Sequence, residues 1–250
     1  MQITAIILAK NEERRIKKAL QSVSFCDEIL VIDDESTDKT KVIAEQNGAT
    51  VLLHPKKGEF ASQRNWAMKQ AKYDWVLFID ADEEVSDALK DKIEIKTKES
   101  LSPTTAYYIP RRDFFWGHEM KYGEVMLARN QGILRLIKKD SGTWEGSVHE
   151  TFQTKMVPGI LHGFINHYPH ETVSEFIEDV NTYSSIRARE LHEQGKKGSV
   201  VELMLLPLGK FIYTYFVLAG FLDGAPGFIY SFIMSFHSFL VRAKLLTKKL

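Results

Sequence analysis

The 250-residue chain has one cysteine, Cys26. It permits no internal disulfide and no cysteine-based zinc site. That suits a reducing compartment and leaves Cys26 as a small buried apolar residue. Net charge is absent as well: 33 Lys and Arg stand against 33 Asp and Glu. A neutral chain does not bind nucleic acid through bulk positive charge, so no nucleic-acid partner is expected. No Gly-x-Gly-x-x-Gly follows the first apolar run, which excludes a dinucleotide-binding dehydrogenase. Internal repeats and low-complexity tracts are missing. The N-terminal "MQITAIILAKNEE" lacks a basic n-region and meets charge at once, so it reads as a strand rather than a signal peptide, and the expectation is a cytoplasmic protein. What is present is a globular composition, 44% hydrophobic and 26% charged, in a length that suits one large domain with an appendage.

The first hundred residues alternate between two periodicities. Thr4 to Ala9, Glu28 to Asp33, Thr50 to Leu53 and Tyr73 to Ile79 are short apolar runs rich in strand formers. Between them, 11–22, 37–47 and 60–71 have helical spacing, and Gly48 stands where a C-terminal glycine is favoured. Ser86 heads a further charged helix to about Lys98. Strands alternating with helices of this length mean βαβ units and a parallel sheet. After Pro103 the pattern becomes strand-like, aromatic and Arg-rich. From Ser174 it is helical again. The predicted division is 1–170 for an α/β catalytic domain and 171–250 for a helical extension, apolar from about residue 203.

Polar clusters close three of the four strands: Lys10-Asn11-Glu12, Asp33-Asp34, and the acids of "WVLFIDADEE". In a parallel sheet these ends share the edge where open α/β sheets bind ligands. Carboxylates gathered at one edge repel one another unless a cation joins them. Asp-x-Asp at a strand end offers hard oxygen ligands to Mg²⁺ or Mn²⁺, which in turn hold a diphosphate.

The segments "AIILAKNEERRIKKALQSV", "DEILVIDDESTDKT", "ASQRNWAMKQA" and "WVLFIDADEE" resemble, in order and spacing, the GT-A nucleotide-sugar domain of family 2 glycosyltransferases. "YYIPRRDFFWG", "ILRLIKK", "WEGSVHE" and "GFLDGAPGFIYSF" resemble the subgroup of lipopolysaccharide-core β-glucosyltransferases. The resemblance implies a Rossmann-like GT-A fold. It also implies inverting, metal-dependent transfer of a sugar, glucose in the subgroup, from a UDP-sugar to a glycolipid or lipopolysaccharide-core hydroxyl. Asp34 would accept from the uracil N3–H, and Glu12 and the backbone near Ala9 would lie against the nucleoside. Arg64, with Asn65, would approach the nucleoside or diphosphate. Asp80 would face the ribose or a metal-bound water, and Asp82 would ligate the metal. Glu150 of "VHE" is the best match for the base, with His149 and Glu145 as alternatives. Two rival classes stay open. A nucleotidyltransferase of similar topology would want a Gly-rich loop after the first strand, which "LAKNEERR" lacks. A non-catalytic nucleotide-sugar-binding protein would bind without turnover.

Other polar residues have plainer readings. Asp38 caps or solvates the start of the second helix, and Glu83 and Glu84 start a turn. His162, His167 and His170 lack a helical i, i+4 pair and read as solvated loop histidines. Arg111, Arg112 and Arg135 either grip phosphates of an anionic acceptor or have a surface or salt-bridge role. In the tail, Phe228, Phe232, Phe236 and Phe239 share one helical face, and Ser231, Ser235 and Ser238 form a narrow stripe for a neighbouring helix. Arg242, Lys244, Lys248 and Lys249 give the tail a basic end. Such a helical pair suits peripheral contact with the cytoplasmic face of the inner membrane.

Overall fold

The computed structural model describes residues 2–56, 60–99, 104–146 and 151–247. In chain order the elements open with β1 (Ile3–Ala9), α1 (Ile16–Ser22), β2 (Glu28–Asp33), α2 (Thr40–Gln46) and β3 (Thr50–Leu53). Next come α3 (Phe60–Gln70), β4 (Trp75–Asp80), β5 (Glu83–Val85), α4 (Asp87–Lys98), β6 (Ala106–Ile109), β7 (Arg111–Phe115) and β8 (His118–Met120). Then follow α5 (Met126–Gln131), β9 (Ile133–Lys138), β10 (Gly142–Glu145), β11 (Thr151–Thr154), β12 (Gly159–Ile160) and β13 (Ile165–His167). Three long helices close the chain: α6 (Val173–Glu193), α7 (Val200–Ile212) and α8 (Gly224–Thr247). These form two compact units, one of residues 1–111 and 130–167, the other of 112–129 and 168–250.

The first unit is built on a seven-stranded sheet of order β12-β6-β9-β4-β1-β2-β3. Its β4-β1-β2-β3 half is parallel. β9 inserts antiparallel between β4 and β6. The fold is therefore mixed α/β with a mostly parallel central sheet. β1 and β4 are buried on both faces, which is why their runs show no alternation. One face packs Ile7, Leu77 and Ile79 under α1 and α4, and the other packs Ile6, Phe78 and Trp144 under α3.

Two helices start later than their spacing predicts. Residues 11–15 form a polar turn in which Asn11 adopts φ 56° and its side chain accepts the Thr37 N–H. Residues 36–39 spend their backbone donors on Asp33, Asn11 and Glu13 instead of a helical turn. The two loops are thus tied to each other at the sheet edge. Asp38 does accept the N–H of Thr40, the first residue of α2.

In the second unit, Phe115, Met120, Val125, Phe176, Val180 and Ile233 form the core. α8 packs against both α6 and α7. Asp223, nearly buried, accepts the N–H groups of Lys121 and Tyr122. The break between the apolar helices falls at Leu218 and Ala219, the latter at φ 56°. Pro226 sits in the first turn of α8, where its missing N–H costs no helical hydrogen bond.

Candidate active site

The register of the parallel strands assembles the site. β1 pairs Ala9 with Asp33 on one side and Leu8 with Asp80 on the other. The expected residues Ala9, Asp34 and Asp80 therefore share the carboxyl edge of the sheet. The Ala9 carbonyl accepts the Asp34 N–H at 2.9 Å. One Asp34 carboxylate oxygen lies 3.2 Å from Lys10 Nζ, and the other accepts the Lys56 N–H at 2.8 Å. Glu12 donates its N–H to Thr40 Oγ1, and its carboxylate lies 2.9 Å from Arg15 Nε.

At the end of β4 the side chains are mostly buried and densely paired. Arg64, on α3, stacks over Phe78 and Trp144 and approaches Asp80 to 3.6 Å. Asp80 also accepts from Arg135 of β9. Burial pushes the Asp80 carboxyl up, but Arg135 and Arg64 outweigh it and hold the group well below the usual carboxylate range. For Asp82, burial again acts upward, but the charge of His167, its hydrogen bond and the charge of Arg15 together bring the group below its ordinary value. Glu83 behaves oppositely: burial raises its carboxyl despite Arg135.

His167 is a correction to the reading of "HGFINHYPH" as solvated histidines. β13 pairs antiparallel with β5 and sets His167 opposite Glu83. Its Nε2 comes within 3.2 Å of Asp82 Oδ2, with the ring largely buried. No local spacing reveals this, because the two strands lie some eighty residues apart. Arg135 resolves to its salt-bridge reading, buried against Asp80 and Glu83. Arg111 lies 3.8 Å from Glu83.

Asn65 spends its side-chain amide on the protein backbone. Its amide donates to the Trp144 carbonyl at 2.8 Å and accepts the Trp144 N–H at 2.9 Å, fastening β10 to α3. Beside it is a cleft of about 660 Å³ lined by Ser62, Asn65, Trp66, Lys69, Trp144 and Glu145. Glu145 is exposed there. Glu150 and His149, the other base candidates, lie outside the described residues.

Among the described residues no three His, Cys, Asp or Glu side chains gather as a metal site. Asp82 and His167 still offer two donors 3.2 Å apart. Neighbouring ligands on a small octahedral cation, each at about 2.1 Å, stand about 3.0 Å apart. Mg²⁺ and Mn²⁺ at such sites keep waters and take substrate phosphates as further ligands, so two protein donors fit.

A family model for glycosyl transferase family 2 matches residues 4–147, which hold the ends of β1, β2 and β4 but not His167. The chain belongs to glycosyltransferase family 2. It is an enzyme, a glycosyltransferase. An uncharacterized glycosyltransferase of Rickettsia typhi is 34% identical over 98% of this chain and 86% of its own. The lipopolysaccharide core biosynthesis glycosyltransferase LpsC of Rhizobium meliloti is 28% identical over 98% of this chain and 92% of its own. Among solved structures, glucosyl-3-phosphoglycerate synthase of Mycobacterium tuberculosis, crystallised with Mn²⁺, UDP and glucosyl-3-phosphoglycerate, aligns over 44% of each chain at 22% identity and a TM-score of 0.39. That likeness is too partial to bear on this chain's chemistry.

Proposed function

We propose that this glycosyltransferase moves glucose from UDP-glucose to a hydroxyl of a lipopolysaccharide-core or related glycolipid acceptor, with inversion, using Mg²⁺ or Mn²⁺. The observation that carries the reading is the pairing of Asp82 with His167 beside Asp80 and Arg64, at the sheet edge that also holds Asp34. Asp34 accepts from the uracil N3–H, and Ala9 and Glu12 border the nucleoside. Arg64 offers positive charge to the diphosphate. Asp82 and His167 would hold the ion, and Asp80 would face the ribose side. When bound, the ion neutralises charge on the departing diphosphate. Glu150 takes the proton of the acceptor hydroxyl as that oxygen attacks the anomeric carbon and UDP leaves. Asn65 serves this site indirectly, by fixing β10.

A lipid-linked acceptor agrees with the tail. Val200–Val217 and Gly220–Thr247 are long and apolar enough to cross a membrane. α7 exposes Val201, Met204, Leu205, Leu208 and Ile212, the turn after it exposes Phe216, and α8 exposes Phe228, Phe232, Phe236 and Phe239. Residues 196–250 carry seven Lys or Arg against two acids in a chain that is neutral as a whole. The tail lies in the plane of the cytoplasmic leaflet rather than across it. Charged α6 covers α8 from Phe176 beside Tyr230 to the cluster of Asn181 and Ser184 around Lys244. That stretch of α8 is about 21 Å long, most of the roughly 30 Å of hydrocarbon a span would need. The basic end is smaller than its sequence suggests: Lys244 is spent on α6, and Arg242 lies 3.5 Å from Glu202.

Two assays test these readings. Adding a solubilised lipopolysaccharide-core acceptor to enzyme, UDP-glucose and Mn²⁺ is expected to release UDP; release with other UDP-sugars alone refutes glucose. Flotation with vesicles of phosphatidylethanolamine and phosphatidylglycerol is expected to carry the wild-type chain and to lose a Leu205→Glu, Phe216→Glu variant. Equal behaviour of the two refutes the tail assignment.

A further inference from the structure

The Asp80–Glu83 segment is closed by a ring of hydrogen bonds that no donor-site role explains. The Asp80 N–H is donated to Glu83 Oε2 at 3.1 Å. Glu83 Oε1 accepts from Arg135 Nη2 at 2.7 Å. The same Nη2 donates to Asp80 Oδ2. One guanidinium nitrogen thus joins the two ends of a four-residue turn. Ala81 is buried within it, and Asp82 lies between the clamped ends.

Both partners in the ring are costly to bury. Glu83 has no side-chain exposure, and Arg135 has 6%. A buried carboxylate and guanidinium persist only when paired and hydrogen-bonded, and hydrophobic residues of like size often replace such pairs without loss of stability. Stability alone is therefore a poor reason for the ring. Its geometry supplies a better one. A guanidinium amino group carries two coplanar hydrogens, so it serves two carboxylates in one orientation only. A lysine in its place keeps the charge and loses that constraint.

We propose that Arg135 is a positioning residue for sugar transfer: by bridging Asp80 and Glu83 it fixes the turn that aims the Asp82 carboxylate at the divalent ion. The clamp rests on the donor-site reading of Asp82. Its residues come from three strands, and β9 brings Arg135 across from more than fifty positions away in sequence. Partners that orient a metal ligand from behind commonly carry a 10- to 100-fold share of metal affinity.

The test measures Mn²⁺ and UDP binding calorimetrically, beside unfolding temperature, for wild type, Arg135→Lys and the charge-neutral double variant Arg135→Met, Glu83→Gln. Folded variants whose Mn²⁺-dependent UDP affinity falls about 10-fold or more are the expected result. Variants that fold and bind as wild type does refute the clamp alone. Two variants that both fail to fold refute it too, since the arginine would then serve the fold. A wild-type chain that binds neither Mn²⁺ nor UDP refutes the donor-site reading and the clamp together.

Discussion

Replacing Asn65 with alanine separates a ligand contact from a structural one. The side chain makes two hydrogen bonds, both to the backbone of Trp144, at 2.8 and 2.9 Å. Trp144 is nearly buried, and its ring packs edge-on to Phe78 and beneath Arg64. Each hydrogen bond contributes about 1 kcal/mol net, and stranding a part-buried backbone group adds to the loss. The expected cost is about 2–3 kcal/mol, or roughly 5–10 °C in unfolding temperature for a domain of this size. UDP affinity, measured well below that transition, is expected to change by less than about threefold, on the order of 0.6 kcal/mol. An Asn65→Ala chain that melts with wild type but loses UDP binding tenfold or more refutes the reasoning and returns the amide to the donor.

His167→Ala is expected to weaken Mn²⁺ binding about 10- to 100-fold while Mn²⁺-free folding holds, as read by calorimetry and circular dichroism. Gly132→Ala is expected to cost about 3 kcal/mol in denaturant unfolding, because φ is +77° and a Cβ meets the Ile109 backbone at 2.7 Å. Asp38 contributes stability that is lost in acid. Slight burial raises its carboxyl, but hydrogen bonds from Thr40 and Glu13 lower it below the ordinary value. The folded state then binds the proton less readily than the unfolded one. The contribution is full above a pH of about 4 and disappears as pH falls through the depressed folded value. Asp38→Asn is expected to flatten that part of the pH–stability curve, and an unchanged slope counts against it.

The parallel half of the sheet was legible because each strand there is a continuous apolar run between helical segments. β1, β2, β3 and β4 fall within two residues of the expected ranges. The loops between them were less legible. Asn11, Thr37 and Asp38 fall in segments of helical spacing, yet their polar groups bind the neighbouring loop and delay α1 and α2. The acids at the strand ends pointed to the site without showing their partners. His167 and Arg135 reach Asp82 and Asp80 through antiparallel pairings of strands separated by fifty to eighty residues, and no periodicity encodes such a pairing. Asn65 stood inside a motif, and only the position of β10 reveals what its amide bonds. In the tail the Phe stripe was readable, whereas Lys244 turned out to bond four atoms of α6, where a free basic end had been expected.

The central claim is a divalent-ion-dependent nucleotide-sugar site at Asp82. Titrating UDP into wild type and Asp82→Ala, each with Mn²⁺ and with EDTA, tests it most directly. The account predicts tight binding only for wild type with Mn²⁺, and affinity lower by about a hundredfold, close to 3 kcal/mol, in the other three arms, with Asp82→Ala still folded. Equal UDP affinity in all four arms contradicts it.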